Sequence, residues 1–492
     1  MDKLHSHEEV FCSCCRREFL GAASLAVGSM ALNFSRSAWA GAGEAPQKGT
    51  AAVMGAFLYP PSDTLRVKGG WWSWPGNDFD AEGRQKKYMS RIQEIEKKLG
   101  MRIEMEEKPI ASQEDADRFI GKAKKSQPDA ILLIPFMNTS FAHIDRILKE
   151  VAPKASNEGA VAEPGIPAVI FSCLGVKHGP ITQYQKPGVH IIQSLDNLDA
   201  VEYAMKMINA RRKMKESRII SVAGKEEGKE AVVPFWGTTV RTVSLARFEE
   251  EVNKTEIDGA VKKLAAAFKR NAKKILEPAE PEILQAARVH FANKRILETE
   301  GGDAMMMDCL RRGELMPCMS FMTLRDEGIA AGCENDLGPT LTLMLIQHLF
   351  DRSGFQHNPS FETESNHYFA SHCTSASKLF GADKPQQPYL LRNYGHTNDP
   401  TCAPQVLWRE GEAVTMAHII PAEKPQMLIY SGKVVKSYDM PPVGGCRTNV
   451  EITINELDDA CQVKGHHNVL FYGDYAKRMR QFAQLYGIAA MA

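Results

Sequence analysis

The groups able to do chemistry crowd into one stretch, from Cys309 to Cys373, with a second patch at Gly465-His466-His467. In the first, Gly332-Cys333-Glu334-Asn335-Asp336-Leu337-Gly338 sets a carboxylate between an apolar β-like run and an expected helix over 339–350. Open α/β sheets put their ligands at such strand ends, facing a helix N-terminus. His357-Asn358-Pro359, then Glu362 and Glu364, then Ser371-His372-Cys373 follow. Glu, Asn and His supply oxygen and imidazole donors, a set suited to Mn²⁺ or Mg²⁺ more than to a thiolate zinc site. Singly, each has an ordinary explanation. A lone His near a carboxylate is more often a satisfied polar group than a ligand, and Cys333 and Cys373 read as small buried apolar residues.

The elements that must carry these groups alternate. Short apolar runs at 51–58, 129–135, 167–172, 189–193, 218–223, 304–308 and 315–321 read as strands, and 81–99, 140–150 and 197–212 as helices. Val201, Ala204, Met205 and Ile208 fall at helical spacing and are core candidates. The Lys/Glu-rich stretch 253–298 reads as surface helices. Such alternation builds parallel, doubly wound sheets with right-handed crossovers. After about Phe355 the pattern changes to Pro, Gly and short alternating runs (414–420, 426–430, 450–454, 469–472), expected as antiparallel strands. The expected fold class is therefore α/β, with two doubly wound domains at 41–185 and 186–353 and a β-rich domain at 354–492.

Residues 1–40 read as an address. Cys15-Arg16-Arg17-Glu18-Phe19-Leu20 matches the twin-arginine export pattern, and a short apolar stretch leads to Ala38-Trp39-Ala40, an A-x-A cleavage pattern. The expectation is an exported, extracytoplasmic protein handled by the twin-arginine machinery. Three of eleven cysteines fall in this segment, and the other eight show no CxxC pair and no disulfide framework. Folding before export would also let a weakly competing ion such as Mn²⁺ be taken up away from Cu²⁺ and Zn²⁺. With 60 Lys+Arg against 60 Asp+Glu there is no basic excess for nucleic acid or an anionic membrane. At 43% hydrophobic and 24% charged, the 492-residue chain reads as globular. Trp71, Trp72 and Trp74 lie in a Pro- and Gly-rich loop from Tyr59 to Phe79. They are more readily an interface than a sugar-stacking surface.

Four stretches, in this order, resemble the L-fucose isomerase and L-arabinose isomerase superfamily: GCENDLGPTLTLMLIQHL, SNHYFASHC, GEAVTMAHI and GHHNVLFYG. The resemblance implies a homo-oligomeric aldose–ketose isomerase acting on a small sugar with a divalent ion, usually Mn²⁺. It makes Glu334 a metal ligand and the base, and His467 and His372 metal ligands. The family's second carboxylate position falls on Asn358, which can ligate but carries no charge and cannot shuttle a proton. Either Glu362 or Glu364 replaces it, with Glu364 the catalytic candidate, or the chain is a carbohydrate-binding or sensing protein with impaired chemistry.

Overall fold

Seven short strands open the described chain. β1 (Ala52–Leu58), β2 (Arg102–Met105), β3 (Ala130–Pro135), the two-stranded β4 (Lys154–Ala155) and β5 (Val161–Glu163), β6 (Ala168–Cys173) and β7 (Val189–Ser194) follow in chain order. β4 and β5 pair with each other, and the other five make an all-parallel sheet in the order β2-β1-β3-β6-β7. The structure is a computed structural model that describes residues 49–63, 79–155, 161–163, 165–310, 312–395, 400–439 and 446–492. The twin-arginine segment and Trp71, Trp72 and Trp74 lie outside the described residues.

The runs AVMGAFL and AILLIP are almost wholly apolar because both faces of this sheet are covered. Val53 and Phe57 pack with Tyr88 and Ile92 of α1 (Ala81–Leu99) on one side. Met54, Ala56 and Leu58 pack with Phe119 of α2 (Gln113–Ser126) and Ile144 of α3 (Phe141–Val151) on the other. Helix ends obey local rules: Asp80 caps α1 by accepting from Gly83 N–H, and Gly100 ends it in the left-handed conformation.

After α4 (Asp199–Glu216) comes a second sheet of β8 (Arg218–Val222), β9 (Glu230–Val232), β10 (Thr239–Val243), β12 (Ala304–Met307) and β13 (Ala330–Gly332), ordered β13-β12-β8-β10-β9; β11 (Lys274–Ile275) pairs elsewhere. Its pairings are parallel except β9 against β10. α5 (Leu245–Lys254) comes first, and the Lys/Glu-rich stretch supplies α6 (Gly259–Asn271) and α7 (Glu280–Glu300). The run at 315–321, expected as a strand, instead begins α8 (Cys318–Asp326). That helix is buried almost all round, and a short continuous apolar run does not distinguish a buried helix from a buried strand. α9 (Leu337–Phe350) follows β13 through a single turn.

β14 (Phe355–Glu362), β15 (His367–His372), β16 (Tyr389–Arg392), β17 (Ala403–Val406), β18 (Ala413–Ile420), β19 (Gln426–Ser437), β20 (Thr448–Ile452) and β21 (Asn468–Tyr472) complete the chain with α10 (Ala476–Tyr486) and β22 (Ala489–Met491). β18-β21-β14-β15-β20-β19 close on themselves through a β18–β19 pairing, giving an antiparallel barrel to which β22 adds in parallel; β16 and β17 join β11 in a small sheet. Phe355, Tyr368, Val450, Ile452, Leu470 and Tyr472 belong to the core cluster inside it. β14 divides its bonding: Phe355–His357 pair with β21, whereas Asn358–Glu362 pair with β15. Gly49–Ala492 forms one unit, and among the described residues no helix is long and apolar enough to cross a membrane.

Candidate metal centre

Glu334 sits in the turn between β13 and α9, at the end of a parallel strand. Its backbone is left-handed (φ 59°), as is that of Asn335 (φ 51°). Two neighbours hold this conformation. Asn335 Oδ1 accepts from Ser221 Oγ at 2.8 Å. Gln356 of β14 takes both backbone groups of Cys333, accepting from its N–H at 2.8 Å and donating to its carbonyl at 3.0 Å. The barrel thus grips the strand end that carries Glu334. Gly332 and Gly338 frame the turn because no side chain fits: a Cβ would meet Thr340 Oγ1 at 1.9 Å or the Ile419 carbonyl at 2.7 Å.

His372 ends β15 and His467 stands just before β21, the two strands that flank β14. Their rings are 5.4 Å apart and nearly perpendicular. Glu334 lies between them, with Oε1 3.3 Å from His372 Nε2 and Oε2 3.5 Å from His467 Nε2. One donor atom from each of Glu334, His372 and His467 falls within 4.8 Å of the others. His467, left-handed at φ 57°, is oriented from behind: its Nδ1 bonds Asp336 Oδ2 at 2.9 Å, and His418 Nδ1 bonds its carbonyl at 3.3 Å. Asp336 also caps α9 through Gly338 N–H.

The residues fit a cation. Both ring nitrogens of His372 and Nε2 of His467 are buried and make no well-aligned hydrogen bond, the two Nε2 atoms facing Glu334 oxygens at 3.3 and 3.5 Å, an arrangement that a cation between them would satisfy. His467 has the arrangement common to metal-bound histidines, a carboxylate on one nitrogen and the other turned inward. The His372 imidazole, then the charges of His467 and His466, hold the Glu334 carboxyl below its ordinary range despite burial. Burial works to discharge the His372 imidazolium, yet Cys333 and Glu334 outweigh it and bring its pKa up to about 10. A cation held by these residues would take the place of that proton.

Of the residues singled out in the sequence, three converge: Glu334, His372 and His467. Asn358 pairs with Ser371, one position short of His372, so strand alternation turns Asn358 and His372 to opposite faces of the ladder. Its Oδ1 is buried and unpartnered. Glu364 does not belong to the group. It is exposed in the β14–β15 turn, where its N–H bonds Glu362 Oε1. That turn lies beyond His367, itself about 17 Å along β15 from His372 at ~3.4 Å per residue. Glu362, exposed and paired with His367, is equally remote. His357 shares the His372 face but bonds Tyr368 Oη and the Phe355 carbonyl, and burial pushes its pKa down to about 3.

Asp336, Gln356, Arg325 and His418 are the supporting residues that sequence reasoning missed. Asp336 carried a signal, a carboxylate two residues after Glu334, but it also reads as an ordinary helix cap. Replacing it separates the two roles. Asp336→Ala is expected to weaken divalent-metal binding about 10–100-fold, and Asp336→Asn, which keeps an acceptor for His467 Nδ1–H, to weaken it less. Titration calorimetry reads both.

No protein-family model matches the chain, and no curated protein matches it. What can be said plainly comes from the architecture: parallel α/β sheets, a closed antiparallel barrel, and a partly buried Glu/His/His group at their junction able to hold a metal ion.

Proposed function

We propose that this protein is an exported, Mn²⁺-dependent aldose–ketose isomerase of the L-fucose/L-arabinose isomerase type. In this reading its parallel sheets are two doubly wound domains, it works as a homo-oligomer, and its substrate is a free sugar. The observation that carries the proposal is the meeting of Glu334, His372 and His467, three residues marked by the sequence resemblance, with both histidine Nε2 atoms buried and turned toward the one carboxylate. A divalent ion held there supplies positive charge against a carbonyl and the hydroxyl beside it. The chain does the rest. Asp336 keeps the proton on His467 Nδ1, leaving Nε2 to face inward. Glu334, a quarter exposed and held ionised, is the group placed to take a proton from one sugar carbon and return it to the next.

A second reading has its own observation. With Glu362 and Glu364 at the far end of the ladder and Asn358 uncharged, Glu334 is the one carboxylate in the converging group. That favours a carbohydrate-binding protein without turnover. Incubating the Mn²⁺-loaded full chain with a panel of aldoses in D₂O separates the readings. Ketose carrying deuterium at C1, seen by NMR, is the expected result. Saturable sugar binding with no ketose formed from any aldose and no exchange at any carbon overturns the isomerase and leaves the binder.

A further inference from the structure

Five of the eight cysteines among the described residues gather beside the metal centre, although nothing in their spacing foretells it. Cys309, Cys318, Cys333 and Cys373 line one small cavity with Glu334 and His372, and Cys446 joins Cys318 and Cys373 in a buried cluster. Two of these thiols touch: Cys373 Sγ lies 3.8 Å from Cys446 Sγ. Cys373 directly follows His372, the last residue of β15, and Cys446 stands two residues ahead of Thr448, which pairs with His372. Both segments are fixed. Asn449 donates to the Cys446 carbonyl at 2.7 Å and accepts from Ser371 Oγ at 2.6 Å.

The geometry points to Cys373 and Cys446 as a dithiol that closes to a disulfide under oxidation. A bond of ~2.05 Å needs the sulfurs to approach by about 2 Å, within reach of side-chain rotation on two segments that lie side by side just beyond the paired ends of β15 and β20. The oxidant is an external disulfide. One thiol, as thiolate, displaces half of it and forms a mixed disulfide; the second thiol attacks that sulfur and expels the other half. Two S–H bonds are lost, one S–S bond forms, and two equivalents of reduced thiol leave. The cross-link ties the strand end bearing His372 to the segment that enters β20. It stands independently of the isomerase reading.

Peptide mapping tests it on the full chain. Native protein is treated with oxidised glutathione, its remaining thiols are alkylated in denaturant, and it is digested with trypsin. Cys373 and Cys446 then fall alone in the fragments 353–378 and 437–447. The expected result is a linked pair of these fragments replacing most of both alkylated ones and disappearing on reduction. In Cys446→Ser, Cys373 should stay alkylated or carry glutathione; Cys373→Ala gives the mirror result should the first variant not fold. Full alkylation of both fragments in oxidised wild-type protein overturns the proposal, as does a link from either to Cys309, Cys318 or Cys333.

Discussion

Glu334→Gln is expected to abolish stoichiometric metal binding while leaving the metal-free protein folded. Gln removes the one negative charge among the three converging residues but keeps the shape of the side chain. Structural metal sites of four ligands are worth about 10–16 kcal/mol, so one charged ligand is worth on the order of 3–5 kcal/mol, a loss of about 10²–10⁴ in affinity. His467→Ala should do the same. Elemental analysis after gel filtration in Mn²⁺-containing buffer, paired with a circular-dichroism melt of the metal-free proteins, reads both consequences. Wild-type metal content in both variants would remove the centre, and the proposed chemistry with it.

The largest stability effect is expected from Arg325, which is 2% exposed. Its Nε donates to the Ala331 carbonyl at 2.8 Å and its Nη1 to the Thr374 carbonyl at 3.1 Å, with Nη2 3.5 Å from Cys333 Sγ. The guanidinium therefore clasps β13 just ahead of Glu334 and β15 just past His372. Arg325→Met keeps much of the volume and strands the two carbonyls. At ~1–3 kcal/mol for each buried acceptor left unsatisfied, the cost for the two is about 2–6 kcal/mol. Urea unfolding of the metal-free protein measures it. A loss under about 1 kcal/mol, with unchanged metal affinity, would show that the clasp holds nothing.

What could be read from the sequence depended on how local its cause was. α1 runs from Ala81 to Leu99, as expected, because Asp80 and Gly100 are local stop signals. β1, β3 and β6 were legible as apolar runs because the sheet is covered on both faces. β2, four residues with mixed exposure, gave no such pattern. α8 was misread as a strand because burial all round removes its period. In the metal centre, Glu334 and His467 were marked by sequence resemblance, but their meeting depends on the division of β14 between two partners. The position of Asn358 is likewise a matter of register, since the face it occupies is decided by its pairing with Ser371. The thiol cluster was invisible for the same reason: it joins β12, α8, β13, β15 and the approach to β20.

The close packing of α9 on β18 has a consequence for which ion the centre takes. Glu334 belongs to the parallel sheet and the two histidines to the barrel, and these layers meet where Gly338 lies against Ile419 and His418 with no room for a Cβ. Ile419 N–H bonds Thr342 Oγ1 at 2.9 Å across the same seam. The donors are thus the jaws of a chelator whose bite is set by the contact of two stiff bodies. Such a chelator cannot open to suit a large ion or pinch to suit a small one. An ion held there would be sorted by radius as well as by its taste for oxygen and nitrogen, through helix and strand residues that never touch it.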